Sequence, residues 1–145
     1  MLFHLKDTDI HSFELVNLGG VFHRVEIWKE ARELSKRVFE ITSVSQFYSD
    51  FKFRDQIRSS SGSVMDNIAE GFERDGNREF VQFLSMAKGS CGETRSQSYR
   101  SFDYQYINQD ILDELISRTI QLSKKISSLM TYLKQSDFKG SKFHT

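Results

Sequence analysis

The 145-residue chain contains no proline and a single cysteine, Cys91. Without proline, nothing in the sequence forces a break in a helical hydrogen-bond ladder, so long uninterrupted helices are open to it. One thiol cannot form an internal disulfide. Together with four scattered histidines (His4, His11, His23 and His144), it also offers no zinc-ligand spacing. An excess of one charge is missing too, because 20 Lys+Arg balance 20 Asp+Glu. That balance argues against the general basic surplus by which many nucleic-acid binders attract their partner, and it leaves only local patches. No apolar run approaches the roughly 18 residues of a membrane span. Residues 1–7 lack the basic region and long apolar stretch of a signal peptide, so the expectation is a cytoplasmic protein with no membrane partner.

What is present is helical periodicity. At 38% hydrophobic residues the chain is apolar enough for one domain with its own core. Ile27, Trp28, Ala31, Leu34, Val38 and Ile41 recur every three or four positions, which predicts a helix over 25–41. A second is expected from Tyr48 to Glu70 on the stripe Phe53, Ile57, Val64 and Ile68, with Gly71 as a left-handed cap. Ser59, Ser60, Ser61, Gly62 and Ser63 interrupt its propensity but not its stripe, and mark where a neighbouring helix approaches. A third begins after Asp75-Gly76-Asn77, carries Phe80, Phe83, Leu84, Ala87 and Cys91 inward, thins at Gly89 and Gly92 for close packing, and turns near 102–106. The fourth, capped by Asn108 or Asp110, runs through Leu115, Leu122, Ile126 and Leu129 to end near Lys134. The fold class expected is all-α, an antiparallel up-down four-helix bundle over residues 22–135. Residues 1–21 form an appended arm in this reading and residues 136–145 a flexible tail.

Chemistry is sparse. Cys91 has no histidine within the bundle to activate it and reads as a buried, inert thiol. The run Gly89-Ser90-Cys91-Gly92 lacks the strand and the Gly-Lys-Ser/Thr ending of a phosphate-binding loop. Asp66, Glu70, Glu73 and Glu79 cluster near one turn, where they either share acid–base work or simply cap helices and pair with Arg74 and Arg78. No catalytic, metal or cofactor signature stands out, and the expectation is a non-enzyme without a cofactor. Surfaces remain: Arg54 and Arg58 four apart, Lys88 with Arg95, and a lysine-rich end carrying Lys124, Lys125, Lys134, Lys139 and Lys142 against Asp137. Tyr99, Phe102, Tyr104 and Tyr106 lie close by in sequence and either stack on bases, plug the bundle end or form a subunit contact.

The segment Asn67-Ile68-Ala69-Glu70-Gly71-Phe72, with Arg58 and the serines before it and Glu79-Phe80 and Gly89-Ser90 after it, resembles the bacterial four-helix-bundle proteins encoded in intervening sequences of 23S ribosomal RNA genes. Val25-Glu26-Ile27-Trp28-Lys29-Glu30-Ala31, then Glu93, Gln97, Tyr106 and Ile107, extend the resemblance over residues 22–134. Met65 departs from it, standing where that family commonly has proline. The resemblance implies a ring-forming homo-oligomer, usually a pentamer, without catalytic activity. It also reaches the accessory variability determinant of diversity-generating retroelements, a basic ring that binds a reverse transcriptase and nucleic acid, whereas the present chain is charge-balanced. Asn67, Glu70 and Gly71 carry over as signature positions with structural roles. The expected function is a bacterial scaffold or adaptor, associated with ribosomal RNA or a protein partner. The alternative is direct RNA or DNA binding through Arg54, Arg58, Arg74, Lys88, Lys124 and Lys125.

Overall fold

The computed structural model describes residues 21–143, and within them every regular element is a helix. Helices α1 (Val21–Thr42), α2 (Ser45–Ser49), α3 (Phe51–Phe72), α4 (Asn77–Asp103) and α5 (Gln109–Phe143) follow one another. Contacts join α1 to α3, α3 to α4, α4 to α5 and α5 back to α1. Paired residue numbers run in opposite directions across the α1–α3, α3–α4 and α1–α5 junctions. Arg58 meets Thr42 while Gly62 faces Ser35, and Ser60 meets Gln97 while Gly71 faces Phe83. Arg37 meets Glu114 while Glu26 meets Lys125.

The apolar stripes close on one another in a single core. Ala31, Leu34, Val64, Ile68, Leu84, Ala87, Cys91, Ile126 and Leu133 are completely buried. Across the middle of the α3–α4 junction the filling changes from apolar to polar. Ser60 Oγ lies 2.5 Å from Gln97 Oε1 and 2.9 Å from Thr94 Oγ1, all three side chains being buried. Ser63 joins the seam by accepting from Ser90 Oγ at 3.1 Å. The serine run of α3 therefore stays helical because its hydroxyls find partners on α4 instead of competing for their own backbone.

Several boundaries differ from the sequence expectation. The helix expected from Tyr48 is two helices. Asp50 breaks the helix, accepts from Phe53 N at 3.3 Å as the N-cap of α3, and accepts a 2.9 Å hydrogen bond from the Tyr106 hydroxyl. Gly71 is not a left-handed cap: α3 continues to Phe72 and is capped by Glu73 in a right-handed conformation. The left-handed glycine is Gly76, at φ 96°, opening α4. Gln105, at φ 64°, makes the corresponding reversal before α5. Helix α5 passes Lys134 and reaches Phe143, so residues 136–143 are helical and not the flexible tail expected there. The arm expected over 1–21 lies outside the described residues except for Val21, the first residue of α1.

Candidate functional site

Most of the cations singled out from sequence are bound within the bundle. Arg58 reaches from α3 to the end of α1, donating to Thr42 Oγ1 at 2.8 Å and Ser43 Oγ at 3.1 Å, with its guanidinium 4.5 Å from the Phe39 ring centroid. Arg54 pairs with Asp55 at 3.0 Å, donates to the Tyr48 carbonyl, and lies against the Tyr48 and Phe51 rings at 4.7 and 4.9 Å. Arg74 pairs with Glu70 at 3.0 Å, one turn away, and lies over Phe83. Lys125 bridges Glu26, at 2.9 Å, and Glu30 of α1, and that double partnership raises its pKa above the ordinary lysine value. Of the six cations offered as nucleic-acid contacts, Lys88 and Lys124 are the two that are exposed without an ion pair among the described residues. The spacing therefore located four residues that fasten helices and two that are open to solvent.

Each signature position has a contact within the bundle. A Cβ built on Gly71 would stand 2.7 Å from Phe83 Cβ, closer than real contacts allow, so glycine is what lets α3 and α4 meet there. Asn67 caps nothing at the turn; its side-chain amide donates back to the Ser63 carbonyl at 2.8 Å and to Ser63 Oγ at 2.9 Å. Close packing does not explain Gly89 and Gly92, because a Cβ at either meets nothing within 4 Å.

Cys91 is fully buried and donates to the Thr119 carbonyl at 3.2 Å. Burial raises its pKa, so the thiol is held away from its reactive form. Of the acidic cluster, Glu70 pairs with Arg74. Among the described residues no three metal-ligating side chains come together, and no helix is long and apolar enough to cross a membrane.

One of the sequence readings of the aromatics near 99–106, a plug, is met by Tyr106 at the bundle end where α1 and α4 finish and α3 and α5 begin; the part played by Phe47 and Phe53 was not foreseen. Phe47 stacks on Phe53 at 5.4 Å, and Tyr106 covers both, at 5.0 and 6.4 Å. This plug closes the core. Outside it, Phe39, Val44, Tyr48 and Phe51 remain exposed, Phe51 at 61%. Phe102 is also exposed, as is Tyr104, whose ring packs edge-on against Phe53 and Tyr106. The grooves between helices are shallow. One of about 500 Å³ is lined by Lys52, Asp55, Ser59, Ser63, Ser90 and Glu93, with no apolar floor. Among the described residues no hydrogen bond joins a serine of this groove to Lys52, Asp55 or Glu93; Ser60 and Ser90 bond instead to Thr94, Gln97 and Ser63.

A packed all-α bundle whose most distinctive exposed feature is an aromatic end, and whose conspicuous arginines are spent inside, is a helical-bundle protein that offers surfaces. Its sequence matches the model of the 23S rRNA-intervening sequence protein over residues 23–128, and the chain belongs to that family. Among solved structures it is similar to a protein of unknown function from the S23 ribosomal protein family of Bacteroides thetaiotaomicron. The two share 17% identity over 75% of this chain and 98% of the other, with a TM-score of 0.70. That likeness establishes the fold. No curated protein matches the chain.

Proposed function

We propose that this protein is a non-enzymatic scaffold of the bacterial cytoplasm that works by assembling with further copies of itself into a ring. The observation that carries this reading is the aromatic end. Six large apolar side chains from α1 to α4 and the turns beside them stand largely in solvent around a plug that has already closed the core, with Phe39, Tyr48 and Phe51 meeting arginines and Tyr104 meeting ring edges within the copy. Zero formal net charge removes the long-range repulsion that would keep copies apart. The open glycines on α4 fit the same reading, since Gly89 and Gly92 each cost helix stability of about 0.5–1 kcal/mol for no contact within one chain. Native mass spectrometry of the purified chain tests it. Multiples of 17.0 kDa are expected, and a monomer at every concentration would contradict the proposal.

Direct binding of RNA or DNA is the second reading, favoured by the exposed, unpaired Lys88 and Lys124. Exchanging both for alanine should then weaken binding of a labelled RNA hairpin and reduce its salt dependence. Arg54, Arg58, Arg74 and Lys125 are poorer phosphate ligands, each being committed to a neighbour.

A further inference from the structure

Helices α4 and α5 share an outer flank on which charge is unbalanced, although the chain as a whole is neutral. From Leu115 to Ser136, α5 has no carboxylate, and from Phe80 to Phe102, α4 has one, Glu93. Glu93 turns to the α3 side, where it accepts from Gln97 and lines the groove with Lys52 and Ser59. Only residues 104–108 join the two helices, yet Arg95 and Cys91 both reach Thr119, so α5 runs back along α4. Sevenfold recurrence keeps Lys88 and Arg95 in one row of α4, and Ile120, Ser127 and Lys134 in one row of α5. Tyr99 lies one turn beyond Arg95 and Lys124 one turn beyond Ile120. Lys88, Lys124 and Lys134 are exposed and have no ion pair among the described residues. Arg95 donates from Nε to Thr119 Oγ1 at 2.9 Å and from Nη2 to the Thr119 carbonyl at 3.0 Å, and these neutral partners leave its charge uncompensated. Between the cations stand apolar groups, Ile120 at 37% exposure and Tyr99 at 50%.

We infer that this flank docks an acidic, partly apolar segment of a partner protein, with its carboxylates on Lys88, Lys124 and Lys134 and its apolar side chains on Ile120 and Tyr99. Charge complementarity selects the acid, since no carboxylate of α4 or α5 answers these cations. The apolar positions select a peptide. A polynucleotide fits less well, because Ile120 gives a phosphodiester chain nothing to bind. The exposed cations are all lysines, and the one arginine beside them spends its side-on fork, Nε with Nη2, on Thr119. Toward Tyr99, the ring on which a base could stack, the flank ends in the exposed carboxylates Asp103 and Asp113, which repel phosphate. This inference goes beyond the self-assembly reading and does not depend on it.

Fluorescence anisotropy of labelled probes with the full chain, at about 50 and 200 mM salt, tests the inference. The probes are a peptide of about 18 residues with Leu at three-and-four spacing and Glu elsewhere, polyglutamate of the same length, and an RNA hairpin. The Leu–Glu peptide is expected to bind more tightly than the other two and to lose affinity at the higher salt. Lys88→Glu combined with Lys124→Glu should weaken it by about tenfold. Ile120→Ser should weaken the Leu–Glu peptide several-fold and leave polyglutamate unchanged, a split that charge alone does not give. All three positions are exposed, so the unfolding midpoint should stay close to that of the full chain. A Leu–Glu peptide that does not bind, or that binds equally after the double reversal, would overturn the inference. Tighter binding of the RNA hairpin would also overturn it and give the flank to a polynucleotide. Native mass of the chain reads self-assembly separately.

Discussion

Glycines in this chain do opposite things, and single substitutions separate them. Gly71→Ala forces a Cβ to within 2.7 Å of Phe83 Cβ, an atom that cannot swing aside, so α3 and α4 must part. The expected loss is about 1–3 kcal/mol by denaturant unfolding. Gly89→Ala meets nothing within 4 Å and should raise the stability of the unassembled chain by about 0.5–1 kcal/mol. Reduced assembly in that same variant would show that a neighbouring copy lies over α4. Glu114 is the residue to follow with pH. Its hydrogen bond from Arg37, then that from Arg118, holds its pKa below the ordinary 4.5 of a glutamate. The unfolded chain therefore binds this proton first, so the pairing contributes fully above about pH 4.5 and is lost as pH falls through the lower folded value. Glu114→Gln should flatten the acid limb of a stability–pH curve, and an unchanged limb would assign it to other carboxylates. Cys91 should resist thiol reagents until the chain is unfolded, because burial raises its pKa and shields it.

At the scale of the element, α3 depends on its polar seam. Ser60→Ala leaves Gln97 Oε1 and Thr94 buried with one partner fewer, and should cost about 1–3 kcal/mol measured by thermal or chemical unfolding. A neutral result would mean that water enters the seam at no cost. The helices were legible where their cause is local. The three-and-four spacing of α1, the stripe crossing the serines of α3, and the Asn108 cap, which accepts from Ile111 N at 2.9 Å, all read directly from sequence. They were not legible where the cause is a distant residue. The break at Asp50 needs Tyr106, 56 residues away, to hold the carboxylate, and the helical state of Gly71 needs Phe83. Helix α5 outruns its apolar stripe through residues past Lys134 that contain no proline to break its hydrogen-bond ladder. The candidate site was less legible still. Spacing alone put Arg54 and Arg58 together as a phosphate patch, but exposed rings beside a guanidinium turn it into a stacking partner. Exposure of Phe39, Tyr48 and Phe51 depends on which face the core consumed, which sequence does not mark.

For the whole molecule, membership of the 23S rRNA-intervening sequence protein family fixes the bundle but assigns no chemistry, and this chain's own surface supplies the argument. Basic residues are present in number and mostly internally committed, while apolar residues remain uncovered at one end. A molecule of that kind gains more by covering its aromatic end than by collecting phosphates. The most direct measurement is sedimentation velocity of the chain with a labelled RNA hairpin at about 50 and 200 mM salt, following protein and RNA separately. Assembly predicts a protein species several times 17.0 kDa at both salt concentrations, with the RNA sedimenting on its own. A 17.0 kDa protein that carries the RNA at low salt and releases it at high salt would contradict the account.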